Sequence, residues 1–225
     1  MTQPASPTPP DRKPRGRPRS EPVALEAAHA AARDRICEAA LALFDRGGID
    51  AISMREVAKE MGVSPMAAYK YFPSKDQLLQ ELRTRAFQQL ERTLQAAADS
   101  LADPAASLEA VLVAYLRFGH EDSRAYRLMF DYWVYDNPGT LLETFGDSAR
   151  RQSGAWEVLL RGVQAYFADR HAPGEPLVAA HLVWASLHGL VSLEASRKLV
   201  FGKTFDVLAA PMAASIMAGL PKSSS

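Results

Sequence analysis

Residues 52–79 read ISMREVAKEMGVSPMAAYKYFPSKDQLL. Three helix starts are packed into this stretch. Ser53 and Glu56 stand in the S-x-x-E spacing that satisfies orphan amide donors at a helix start. Gly62 ends that helix, because glycine tolerates the left-handed conformation of a C-terminal cap. Ser64-Pro65 opens the next, with serine at the N-cap and proline in the first turn. This second helix is short, predicted over 65–72, and Pro73 stops it. Ser74 and Gln77 form another capping pair, and a long helix is predicted over 75–98 with Leu78, Leu79, Leu82, Phe87, Leu90 and Leu94 as its apolar stripe. Two helices joined by a tight glycine turn read as a helix-turn-helix.

The side chains predicted to point outward from the 65–72 helix are Pro65, Met66, Tyr69, Lys70 and Tyr71, whereas Phe72 is assigned to the core. A merely solvated helix seldom carries two outward tyrosines. An α-helix fits the major groove of B-DNA, where apolar groups meet thymine methyls and base edges accept and donate hydrogen bonds. Hydroxyls and lysines reach phosphates, as do the amides of a capped helix start.

Upstream, a helix is predicted over 23–46, with Pro22 suited to its first position and Gly47-Gly48 as its stop. Residues 1–22 hold 7 of the 15 prolines and almost no large apolar side chain, the composition of a disordered arm. Five positive charges lie within 12–19 of that arm. Its Arg15-Gly16-Arg17-Pro18 core resembles an AT-hook, whose arginines flank a flat backbone lying in a narrow A·T minor groove. The other reading of the arm is a disordered basic tail with only non-specific attraction for DNA. In either case it strengthens DNA binding and its salt dependence.

Downstream, the periodicity is helical and no strand alternation is evident. Helices are predicted over 104–119, 122–134, 140–169 with a break near Gly146, 176–197, and within 205–219. The fold class is therefore all-α, in four parts. A disordered basic arm spans 1–22 and a helix-turn-helix domain 23–74. A connecting helix spans 75–98, and a larger ligand-binding and dimerisation domain spans 99–220.

The run 52–79 resembles the DNA-binding signature of the TetR (tetracycline-repressor) family at Ala58, Gly62-Val63-Ser64, Tyr69, Phe72, Lys75 and Leu78-Leu79. That resemblance implies that Arg55, Pro65, Met66 and Lys70 touch bases. It implies that Tyr69, Tyr71 and Lys75 touch phosphates, and that Ser53 and Ser64 cap helices and reach the DNA backbone. Ala67-Ala68 replaces the commoner Thr-Leu, which removes a hydroxyl and thins the packing beneath the helix. The motifs at 126–130 and 184–193 resemble the regulatory domain subtype named for its Trp-His-Gly positions. In the family this half binds a small inducer and forms a homodimer through the last two long helices. The apolar helices 176–197 and 205–219 agree, since they carry more apolar face than one small domain covers.

Composition bounds the alternatives. Lys+Arg and Asp+Glu are both 26, so the net charge is zero. The charge is asymmetric, with 15 basic against 12 acidic residues in 1–95 and 11 against 14 in 96–225. A basic amino-terminal half suits phosphate. Cys37 is the only cysteine, so an intramolecular disulfide and a multi-thiolate zinc site in one chain are excluded. With no apolar stretch resembling a signal peptide near the amino terminus, the expected compartment is the cytoplasm. Residues 176–193 lack any charge and touch the length of a membrane span, but His181 and His188 are costly in lipid. A helix buried on most sides, in a core or at a subunit interface, is the reading adopted.

The chain has no H-E-x-x-H, G-x-S-x-G, P-loop or C-x-x-C, so no enzyme, cofactor or metal site is predicted. Trp133, Trp156 and His188 are the residues chosen to line an effector cavity between helices. No charged cluster marks a strongly anionic effector, so the effector is expected to be mostly apolar or aromatic. The resulting reading is a homodimeric, ligand-responsive repressor of nearby genes that binds a pseudo-palindromic duplex. The alternative is an architectural protein that coats A·T-rich DNA without an inducer.

Overall fold

The computed structural model of the chain describes residues 20–130 and 151–222, with backbone only for 20–23. All regular structure among the described residues is helical. In chain order these are α1 (Ser20–Gly47), a 3-10 turn (Ile49–Ala51), α2 (Met54–Glu60), α3 (Pro65–Tyr69) and α4 (Lys75–Asp99). They are followed by α5 (Pro104–Glu121), α6 (Ser123–Phe130), α7 (Gly154–Arg170), α8 (Pro176–Ala195) and α9 (Phe205–Gly219). Parts of the helices predicted over 122–134 and 140–169 lie outside the described residues.

Local chemistry explains the boundaries. Asp103 accepts from the Ala106 amide at 2.8 Å and, with Pro104, opens α5. α1 begins at Ser20, ahead of Pro22, which still sits in the first turn where a missing N–H costs nothing. Pro211 lies inside α9.

The side chains form two cores. The smaller gathers Ile36, Phe44, Ile52, Val57, Phe72, Leu78 and Leu82 from α1 to α4. The larger runs from Ala86 to Leu220 and joins α4 to α9. α4 serves both, its first turns in the smaller core and Ala86, Leu90 and Leu94 in the larger. α6 also reaches across, because Leu128 belongs to the smaller core while Tyr126 and Met129 belong to the larger.

α5 and α8 cross at Gly119, where an added Cβ would lie 2.3 Å from Val191 Cγ1. Valine is stiff at χ1 and cannot swing aside. Gly119→Ala is therefore expected to destabilise the larger core. Overpacking costs about 1–3 kcal/mol, against up to about 1 kcal/mol returned by helix propensity. In a Val191→Ala background, where only the Cβ at 3.1 Å remains in the way, the cost should shrink. Urea unfolding of the four proteins checks this, and equal effects in both backgrounds would refute the steric account.

Candidate nucleic-acid interface and effector cavity

The turn between α2 and α3 is set by Gly62, with φ at 67°. The Val63 amide donates to the Ala58 carbonyl at 2.9 Å and the Gly62 amide to Lys59 at 3.1 Å. These two bonds satisfy the last carbonyls of α2 and redirect the chain into α3. At the other end of α2, Ser53 Oγ accepts from the Glu56 amide at 3.1 Å. Ser64 differs from its sequence reading. It occupies the N-cap position of α3, yet its side chain makes no capping bond and stays exposed. Pro65 has no N–H to satisfy, which reduces the need for one.

α3 buries Ala68 and presents Met66, 78% exposed, and Tyr69, 46% exposed, together with Pro65 and Lys70. Arg55 is exposed on α2. α3 is shorter than predicted and ends at Tyr69, because Ala68 O accepts the amides of both Tyr71 and Phe72 and Pro73 follows. Tyr71 consequently turns back and is half-buried, its ring 5.0 Å from that of His29. Lys75 is also held more closely than a free phosphate hook. Its Nζ donates to the Ile49 carbonyl at 2.9 Å and pins the 3-10 turn to the start of α4. Arg15 and Arg17 lie outside the described residues.

A cavity of about 360 Å³ lies within the larger core, lined from α4 to α8. Phe87, Tyr115, Phe130, Trp156, His181 and Trp184 supply rings, and Arg83 and Gln152 supply polar groups. Trp156 is one of these lining side chains, and Trp133 lies outside the described residues. His188 is not among the lining side chains. Its Nδ1 hydrogen-bonds the Tyr126 hydroxyl, and its ring packs edge-on to Phe130, which does line the cavity. His181 Nδ1 bonds the Leu177 carbonyl at 2.8 Å, so that nitrogen carries a proton.

Sequence reasoning missed the polar end of the cavity. Gln80, Arg83 and Thr84 are buried, and Gln152 Nε2 donates to Gln80 Oε1 and Thr84 Oγ1 at 3.2 and 3.1 Å. Arg83 Nη2 donates to the Met129 carbonyl at 2.9 Å, and burial pulls its pKa down. The available signal was spacing, since 80, 83, 84 and 87 share one face of α4. Burial pushes the Tyr115 hydroxyl up to about 12. Burial also pushes the Cys37 thiol up to about 12, so it is inert rather than nucleophilic. Among the described residues no three His, Cys, Asp or Glu side chains gather as metal ligands.

α8 is long and apolar enough to cross a membrane, and only 28% of it is buried within the chain. It is therefore not a helix buried on most sides by its own subunit. Its open face carries Leu177, Val178, Leu182, Trp184 and Leu193 and no charged side chain.

Residues 36–82 match the bacterial regulatory proteins of the tetR family, and 108–216 match the tetracyclin repressor-like C-terminal domain. The chain belongs to the TetR family. Its α1–α4 segment is the TetR helix-turn-helix module, and the helices that follow are the family's C-terminal domain. Among curated relatives, the chain is 42% identical over 59 residues to the HTH-type transcriptional repressor KstR of Rhodococcus jostii. That match covers 26% of this chain and 28% of KstR. It is 46% identical over 46 residues to the repressor DrrR1 of Streptomyces coeruleorubidus, covering 20% and 17% of the two chains. The matches thus span less than a third of either relative. A solved protein of unknown function from Rhodococcus sp. RHA1 shares the fold with a TM-score of 0.73 and 24% identity, over 85% of this chain and 96% of that one.

Proposed function

We propose that this TetR-family regulator is a homodimeric repressor that binds a pseudo-palindromic operator and leaves it when a small effector enters the α4–α8 cavity. The observation that carries the reading is α3, which displays Met66, Tyr69 and Lys70 to solvent on a rigid three-helix base. Two such helices, related by a twofold axis, would enter successive major grooves about 34–36 Å apart. In this reading Arg55, Pro65, Met66 and Lys70 face bases, while Ser53, Ser64 and Tyr69 approach phosphates. Arg15 and Arg17 of the arm add minor-groove contacts. Residues 23–74 act as the DNA-binding domain, 75–98 as the connecting helix and 99–220 as the ligand-binding and dimerisation domain. The regulator works in the cytoplasm and performs no catalysis.

The effector is a molecule with an apolar, ring-rich body, as the cavity's aromatic lining favours, and a polar group at the Arg83–Gln152 end. Coupling to DNA is supported by α6. Met129 and Phe130 line the cavity, while Arg124 pairs with Asp45 at 2.9 Å and the Arg127 guanidinium lies over the Phe44 ring at 5.3 Å. A change in the cavity is therefore felt at the end of α1. Effector binding shifts the dimer population toward half-molecules spaced wrongly for the operator. The uncharged open face of α8, with α9 beside it, suits a second copy of the chain, and the Trp184–His188–Gly189 run supports the Trp-His-Gly subtype.

Selection of bound duplex from a random pool, followed by footprinting, tests the reading. One short protected palindrome is expected. The basic arm favours a second reading, architectural binding of A·T-rich DNA, and diffuse protection without an inducer would support that instead. Arg55→Ala should cost about 1–3 kcal/mol and relax base preference at one half-site position. Equal losses on selected and random DNA, measured by mobility shift, would remove the base-reading role.

A further inference from the structure

α3 is only five residues long, and its N-cap serine makes no capping bond. A helix this short cannot hold its own axis. The Gly62 turn fixes where it starts and the shared Ala68 carbonyl where it stops, but neither ties its far end to the rest of the module. Arg33 of α1 does so. Its Nη1 donates to the Tyr71 carbonyl at 2.9 Å, just past the end of α3. Its Nη2 donates to Glu81 Oε2 of α4 at 3.0 Å. Its guanidinium carbon sits 4.0 Å from the centroid of the Phe72 ring. One planar group thus ties three elements together. Glu81 is held in turn by Arg85, whose Nε donates to Glu81 Oε1 at 2.9 Å and whose Nη2 pairs with Asp34 at 2.8 Å.

From this clamp we infer that Arg33 is a positioning residue for sequence discrimination, setting the pose of α3 without touching DNA. The inference rests on the regulator reading above. Exposed ion pairs contribute little, but this one is only 29% and 21% exposed at its two side chains and adds a carbonyl and a ring face. The expected consequence is selective. Phosphate contacts are electrostatic and tolerate a small shift of the helix, whereas hydrogen bonds to base edges fail with modest misalignment. Loosening the clamp should therefore cost recognition of the right sequence more than attraction to any duplex. Lysine cannot stand in. Its point charge retains an ion pair with Glu81 but cannot stack flat on Phe72 and fork to both oxygens.

The test uses the full chain and a duplex that the wild type selects from a random pool, with a scrambled duplex as comparison. Fluorescence anisotropy gives both affinities, and a thermal scan gives the folding midpoint. For Arg33→Lys the selected-duplex affinity should fall about fivefold, the lower end of one bidentate base contact, while the scrambled duplex stays within about twofold. Glu81→Gln keeps an oxygen acceptor while losing the charge, and should lower the ratio of the two affinities by about threefold. It also keeps the question decidable if Arg33→Lys folds poorly. A preserved ratio in both variants overturns the positioning role, as does a parallel loss on both duplexes that tracks the fraction unfolded. A wild-type chain that enriches no duplex overturns the regulator reading, and this role with it.

Discussion

Phe72→Ala is expected to unfold the reading head while leaving the larger helical core folded. Phe72 is 1% exposed and sits at the centre of the smaller core, beneath Arg33 and beside Ile36, Val57 and Leu78. Removing a buried phenylalanine costs about 3–5 kcal/mol, from lost transfer energy and the cavity left behind. A three-helix module of this size has little stability beyond that. The two cores share α4 and the α6 contact, so the loss should appear as an early unfolding transition followed by the original one. Circular dichroism during heating would show the split, and DNA binding should vanish at temperatures where most helicity remains. A single transition, shifted as a whole, would mean that the two cores unfold as one unit.

Leu182→Glu is expected to separate the proposed dimer without disturbing the subunit. Leu182 is 65% exposed in the single chain, so its own fold loses almost nothing. In a twofold pairing through α8, the new carboxylate is carried into an uncharged face along with its symmetry mate. Burying unpaired like charges costs several kcal/mol, on the order of 3 kcal/mol or more per dimer, which is a shift of more than about a hundredfold in dissociation constant. Sedimentation should report a monomer with an unchanged thermal midpoint. Operator affinity should fall steeply, because the two half-sites are no longer bound by one linked molecule. A dimer that persists unchanged would place the interface elsewhere. A variant chain that fails to fold would mean that Leu182 is buried within its own subunit.

Much of the fold was legible because the signals are local. Proline, glycine and capping serines act within a few residues of themselves, so the starts at Met54, Pro65, Lys75 and Pro104 and the turn at Gly62 could be read from residue type and spacing. The outward display of Met66, Tyr69 and Lys70 followed from the same periodicity. Tyr71 did not, because its direction depends on where α3 stops, and that is set by competition for the Ala68 carbonyl. Lys75 looked free for the same reason. Its carbonyl partner at Ile49 is brought near by the fold and not by sequence spacing.

By itself, then, the order of residues determined an all-helical chain with a helix-turn-helix near its start and an apolar, charge-free helix near its end. Only the tertiary structure decided which polar side chains on α4 are buried, that His188 stands behind the cavity instead of lining it, and that Arg33 joins α1, α4 and the turn after α3 at one point. The physical reason is range. Backbone caps and helical periodicity are written in neighbouring residues, whereas burial and charge pairing depend on groups such as Arg33 and Glu81, or Gln80 and Gln152, that lie far apart along the chain and meet only when it packs.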